Sequence, residues 1–226
     1  MAAIERMGIL RSMASPDPRT HPLVRLLADA ARGVFPPPDG TLTLARPPDP
    51  YPAAVVAFTA HNVLATGLPA DEVRAHLPDA DVGAPMSAPF LAWLGHALEA
   101  TPGMLDAVLV HLGPTESSIE LVPEIADQDH PRVARARGQR RQVYTDAQKH
   151  GVVMLGRGLV DRWEVSLELA PAARGHGVGR AMITAARALV PADEPVFAQV
   201  SPGNAQSLRA FLASGFRPIG SEVLFH

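Results

Sequence analysis

The chain contains no cysteine. That excludes disulfides, thiolate zinc sites and a cysteine nucleophile. No window approaches the ~20 apolar residues of a membrane span. Met1 to Leu10 lacks the long apolar stretch of a secretory signal. The expectation is a soluble cytoplasmic protein with no membrane partner. A basic excess is also missing, since the formal net charge is −3, which argues against a general nucleic-acid binder. His61, His96 and His111 fall in unrelated segments without H-x-x-x-H spacing, so no metal site is expected. There is no internal repeat and no long Gly/Ser-rich tether, so an intimate association of the two halves is expected.

What is present is apolar residues, 47% of the 226, enough to build a real core without staples. The 23 prolines gather mostly in the first half and should cut it into short pieces. Pro22 to Arg32 has apolar residues at helical spacing, with Gly33 as a stop. Thr41 to Arg46 alternates like a strand, and Pro47 to Pro52 breaks it. A strand opens Ala53 to Thr66. Asp71 to Leu77 reads as a short helix and Ala88 to Ala100 as an amphipathic one. On the latter, Phe90, Trp93, Leu94 and Leu98 fit a helix buried against a sheet better than an acceptor pocket. Leu105 to Leu112 and Ser118 to Val122 read as strands. Prolines and acids cluster near Pro123 to Pro131, which places a boundary there. The expected division is residues 1–125, of uncertain role, and residues 126–226, the functional domain. The first half could instead supply opening elements of the second.

Beyond His130 the pattern sharpens. Arg132 to Ala147 alternates as an exposed strand or hairpin. Its Arg132, Arg135, Arg137, Arg140 and Arg141 could guide an anionic ligand or merely form a solvated face. Val152 to Val160 and Trp163 to Ala170 read as strands around a turn. A glycine-rich turn, a helix from about Arg180 to Leu189, a strand Val196 to Val200 and a helix Ala205 to Ala213 follow. Arg217 to Ile219 and Glu222 to Phe225 read as a terminal strand pair.

The stretch that carries chemistry is Leu167 to Met182. A strand runs into a turn holding Gly175, Gly177 and Gly179, and a helix follows. Glycines permit positive φ and close approach of a ligand to the backbone. The first turn of the helix leaves N–H groups unpaired and its dipole favours an anion there. Together these form a phosphate cradle, with Arg174 and Arg180 adding charge beside it. The spacing is G-x-G-x-G, without the acid of a dinucleotide fingerprint about 20 residues on, and a P-loop Gly-Lys-Ser/Thr is absent.

Arg174-Gly175-His176-Gly177-Val178-Gly179 resembles the acetyl-CoA signature of the GNAT superfamily, Arg/Gln-x-x-Gly-x-Gly/Ala. The resemblance extends to the strand Val196 to Val200, Asn204, the following helix, and Gly215-Phe216. It implies an α/β (α+β) fold over about residues 130–226: a mixed, mostly antiparallel sheet with helices on both faces and a V-shaped split between the strands at Leu167 and Val196. A divergent N-terminal half precedes it. The resemblance also implies the site. Backbone groups near Leu169 and Ala170 would bind the pantetheine arm. The N–H groups of Gly175, His176, Gly177, Val178, Gly179 and Arg180 would hold the pyrophosphate. Asn204 and Ser207 would face the pantetheine. The implied activity is transfer of an acetyl group from acetyl-CoA to an unidentified small-molecule or peptide amine by direct attack.

Two positions depart from that pattern. The tyrosine common in the last helix is Phe211 here, which has no proton to give. The glutamate some members carry on the preceding strand is Gln199, which cannot act as a base near neutral pH. The remaining base candidates, Glu164 and Glu168, alternate with Ser166 on one strand face. Partial burial is expected to raise the pKa of such a carboxyl. His176, inside the turn, reads as a solvent-facing loop residue. The two vacancies keep a second reading open, a CoA-binding sensor or interaction module without turnover.

Overall fold

A computed structural model describes residues 20–47, 50–78, 81–124, 131–139 and 141–226. The absent signal at Met1 to Leu10, parts of the Pro47 to Pro52 break and of the boundary at Pro123 to Pro131, and Arg140 lie outside the described residues. Contacts divide the chain into two compact units, one formed by residues up to 106 with 220–226, the other by 107–219.

In the first unit, helix α1 spans Pro22–Ala31. Proline suits its first turn, where no N–H partner is needed, and the ring of His21 accepts from the N–H of Leu23 at 3.2 Å. Strands β1 (Leu42–Ala45), β2 (Ala54–Phe58) and β3 (His61–Ala65) follow. β2 and β3 form an antiparallel hairpin, and β1 lies parallel to β3. Helices α2 (Ala70–Ala75) and α3 (Ala88–Ala97) come next. Phe90 and Leu94 of α3 join a core with Leu44, Val55, Leu64, Val73, Val223 and Phe225, so the apolar stripe of α3 serves packing. Trp93 stacks on His76 at 4.0 Å.

The second unit contains β4 (Asp106–His111) from Ala107 on, β5 (Leu121–Pro123), α4 (Pro131–Gly138), β6 (Gln142–Asp146), β7 (Gly151–Arg157), β8 (Trp163–Leu169), α5 (Val178–Ala188), β9 (Val196–Val200) and α6 (Ala205–Ala213). Its strands run in the order β4-β9-β8-β7-β6-β5. The β8–β9 pairing is parallel and the other four are antiparallel, which is the mixed, mostly antiparallel sheet expected. Helices cover both faces. Val152 and Met154 pack with Val133 and Ala136 of α4. Val153 and Leu155, which alternate with them, pack with Met182 and Ile183 of α5.

Two elements differ from expectation. Arg132 to Ala147 is not a hairpin; it is α4 followed by β6. The run V-A-R-A-R mimics period two, but Val133 and Ala136, the two buried among the described side chains of this helix, lie three apart, which is the helical solution. The terminal segments are likewise one strand, β10 (Arg217–Leu224), running straight through Gly220. A Cβ at Gly220 would stand 2.2 Å from the carbonyl oxygen of Ala57. Gly220 therefore marks close approach to β2, with which Ser221–Leu224 pairs antiparallel, and not a turn.

Candidate active site

The glycine turn leaves β8 through a short 3₁₀ turn at Pro171–Ala173. Gly175 and Gly177 then adopt φ of 83° and 81°, a region costly for residues with a Cβ. A Cβ built at either meets no atom within 4 Å. Backbone geometry, not crowding, therefore selects glycine, and the backbone there is left uncovered. Gly177 is the N-cap of α5 and supplies no side-chain cap, so the first-turn N–H groups of Val178, Gly179 and Arg180 point outward without intrahelical acceptors. Gly179 has a different cause: its Cβ would meet Leu169 Cδ1 at 3.1 Å, so it sets the distance of α5 from β8. Arg174, His176 and Arg180 are exposed around the turn. Arg174 donates to the carbonyl oxygen of Leu169 through Nε at 3.3 Å and Nη2 at 3.2 Å.

The split between strands has a sharp origin. β8 pairs with β7 over all seven residues, Trp163 to Leu169. With β9 it pairs only at Trp163↔Val196 and Glu164↔Phe197. From Ser166 onward the backbone of β8 has no ladder on its β9 side. Asn204 caps α6, its Oδ1 accepting from Ser207 N at 3.1 Å. This capping bond fixes the start of α6 after β9.

At the closed end of the split lies a buried ionic cluster. Glu164 is 2% exposed. Its Oε2 accepts from Arg141 Nη2. Its Oε1 accepts from Arg162 Nε at 2.9 Å, Gln199 Nε2 at 2.9 Å and the N–H of Leu159 at 3.3 Å. Burial alone would raise the carboxyl's pKa, but the charges of Arg162 and Arg141 and their hydrogen bonds outweigh it and hold the pKa below the ordinary value. This corrects the expected direction for Glu164: it stays ionised inside the fold. Gln199 is a donor to this cluster. A neutral amide fits that position better than a second carboxylate, which would repel the first.

Glu168, four residues along the same face, has a different setting. It lines a cavity of about 540 Å³ together with Glu124, Thr145, Lys149, Arg174 and the Leu169–Pro171 end of β8. Of the expected site residues, Glu168, Leu169, Ala170 and Arg174 are thus brought to one cavity. Glu164 is not among its lining residues. Phe211 is buried edge-to-face against Phe216, with centroids 5.0 Å apart.

Two features escaped sequence reasoning. Arg141 was visible only as part of a basic run, and its partner 23 residues on could not be guessed. Arg187, buried in α5, donates to the carbonyls of Gly113, Val190, Pro191 and Ala192 and to His111 Nδ1, anchoring the C-terminal end of α5. His61 is held by Asp39 Oδ1 at 3.1 Å. No group of three or more metal-ligating side chains occurs among the described residues. No helix among them is long and apolar enough to cross a membrane.

No family model and no curated protein matches the chain. Solved structures do. One is described as an acetyltransferase from the GNAT family from Colwellia psychrerythraea, at 12% identity, covering 61% of this chain and 62% of that one, with a TM-score of 0.40. A GCN5-related N-acetyltransferase from Kribbella flavida is 12% identical over 62% of this chain and 65% of that one, with a TM-score of 0.42. A tandem GNAT protein from the clavulanic acid biosynthesis pathway is 16% identical over 76% and 63%, with a TM-score of 0.40. The chain spans less than two thirds of the length of each.

Proposed function

We propose that this chain is an acetyl-CoA-dependent N-acetyltransferase, with residues 126–226 carrying the cosubstrate site. The observation that carries the reading is the uncovered glycine turn at the N-terminus of α5, set beside a strand edge that loses its ladder after Glu164. The first supplies N–H groups and a helix dipole for a pyrophosphate. The second supplies free backbone groups for an extended pantetheine arm, which adds to β8 as a strand would. Arg174 would release the Leu169 carbonyl to engage phosphate, an inexpensive move for an exposed side chain. Asn204 and Ser207 would lie along the arm, and His176 would remain at the solvent edge.

In the reaction, an amine nitrogen attacks the thioester carbonyl, a C–N bond forms, the C–S bond breaks and the thiolate leaves. Glu168 is the base in this proposal, because it faces a cavity at the cosubstrate end of β8. Glu164, ionised within its arginine pair, acts as support and not as the base. The thiolate needs little acid help, since a thiol pKa near 8.5 makes it a good leaving group.

Two measurements test this reading. Calorimetry should detect acetyl-CoA binding that Arg174→Ala weakens; no binding at millimolar ligand sinks the proposal. Free thiol release across a panel of amines should detect turnover that the same substitution abolishes. The buried Phe211, which leaves the usual acid position empty, favours a second reading as a CoA-binding sensor. Binding without thiol release for any amine would select it.

A further inference from the structure

Leu169 ends β8 with its backbone aimed into the split. The Ala170 N–H donates to the His150 carbonyl at 2.8 Å, so Ala170 continues the hydrogen-bonded pairs on the β7 side. Hydrogen-bonded and non-hydrogen-bonded pairs alternate along an antiparallel ladder. Leu169, opposite Gly151, therefore turns its N–H and C=O away from β7, to the side where β9 has already parted. That carbonyl is not left open. The Arg174 guanidinium reaches back five residues and donates to it through both Nε and Nη2, at 3.3 and 3.2 Å. A carbonyl oxygen has two lone pairs, and both N–H groups come from one side chain.

The contact is free to open. Arg174 is exposed and its backbone is ordinary extended chain, φ −74° and ψ 147°, so release takes side-chain rotation alone. It directly precedes Gly175, and a Cβ built at Gly175 or Gly177 meets no atom within 4 Å, which leaves room for a guanidinium over the turn. Opening is compensated unequally. With a pyrophosphate on the turn, the guanidinium exchanges a neutral carbonyl for an anion, the stronger partner. Without phosphate, an extended arm must displace two charge-assisted bonds to place a single neutral N–H on the same oxygen.

We infer that Arg174 is a latch on the cosubstrate strand, closed over the Leu169 carbonyl and opened by phosphate, so that the site selects a phosphate-bearing pantetheine thioester over a phosphate-free one. The inference rests on the acetyl-CoA reading and adds specificity to it. Arg174 acts twice on the same ligand. It withholds a backbone acceptor from a thioester that lacks phosphate, and it binds the phosphate of one that carries it.

The experiment is calorimetry of the full chain with acetyl-CoA and with S-acetylpantetheine, the latter with and without millimolar inorganic pyrophosphate. Arg174→Ala should bind acetyl-CoA about tenfold or more weakly, and S-acetylpantetheine about threefold or more tightly, than the parent. Pyrophosphate should tighten S-acetylpantetheine binding to the parent and not to Arg174→Ala, because the anion acts by drawing the guanidinium off Leu169. Equal or weaker S-acetylpantetheine binding in Arg174→Ala overturns the inference. So does the absence of a pyrophosphate effect on the parent, a measurement that needs no variant to fold, or the same effect in Arg174→Ala. Acetyl-CoA separates the two ideas. A parent that binds it, with no gain for S-acetylpantetheine in the variant, keeps the cosubstrate site and loses the latch; a parent that does not bind it loses both.

Discussion

Glu164 offers the sharpest test, because it can be a base or a support and the two roles respond differently to substitution. It accepts four hydrogen bonds, two of them from arginines, while almost wholly buried. Glu164→Ala would leave Arg162, whose side chain is 4% exposed, without the carboxylate facing it. Removing one partner of a buried ion pair costs about 3–5 kcal/mol, a large share of the roughly 5–15 kcal/mol that holds a domain together. Glu164→Gln keeps the shape but loses the charge and turns an amide N–H₂ toward donors; about 3 kcal/mol is expected. Urea unfolding at neutral pH measures both. The pH dependence gives an independent check. A carboxyl with a lowered folded pKa stabilises the fold above its ordinary value of 4.5 and loses that contribution as pH falls through the folded pKa. The Gln variant should lack this loss, with a flatter stability curve in acid. Transferring the carboxylate across the split, by adding Gln199→Glu to Glu164→Gln, should recover part of the stability. A Glu164→Ala chain that unfolds within about 1 kcal/mol of the parent, binds acetyl-CoA normally and releases no thiol would refute the support role and restore Glu164 as the base.

Gly177→Glu should weaken acetyl-CoA binding at least tenfold, about 1.4 kcal/mol or more, by placing a carboxylate at the cradle and a Cβ at φ 81°; calorimetry reads it. Asp106 is raised to about 6, by burial first and then by the charge of Glu222. A raised acid stabilises below its unfolded pKa and is lost as pH climbs through the folded one, so stability should decline between pH 3.8 and about 6, and Asp106→Asn should remove that decline in thermal melts. Residues 126–226 expressed alone should not fold cooperatively, because they lack β4, which pairs with β9 over five residues, and β5, which pairs with β6; a soluble fragment that binds CoA would contradict this.

The sequence was most legible where backbone geometry and periodicity act locally. Gly175 and Gly177 are glycines because of positive φ, a demand visible in the spacing. α5 and β7 to β9 carry patterns matched to their burial. α4 reads as a strand because alanine and arginine alternate along it, while Val133 and Ala136, three apart, are the two buried among its described side chains. β10 was misread because glycine marks both turns and close strand approaches, and only the position of the Ala57 carbonyl decides between them. The partners of Glu164 were illegible for another reason. Arg141, Arg162 and Gln199 come from the approach to β6, the turn before β8, and β9, and a pairing across 23 or 35 residues leaves no local mark.

That cluster also connects the two departures from the superfamily pattern. Gln199, which pairs with Val108 of β4 beyond the end of the β8 ladder, reaches back to Glu164, the last residue of β8 in the parallel ladder. The strands separate beyond that point while a side-chain bond ties them at the vertex. A carboxylate at 199 would stand against an ionised carboxylate at 164, so the base cannot be there while Glu164 holds its arginines. Phe211 is equally committed, packed edge-to-face into the core against Phe216. Phe211→Tyr would place a hydroxyl in that apolar contact, where an unpaired polar group costs about 1–3 kcal/mol. The expected result is lower stability and no gain in thiol release at saturating acetyl-CoA. A tenfold gain, about 1.4 kcal/mol of barrier, would mean that the hydroxyl reaches the leaving sulfur and that the packing argument at 211 is wrong.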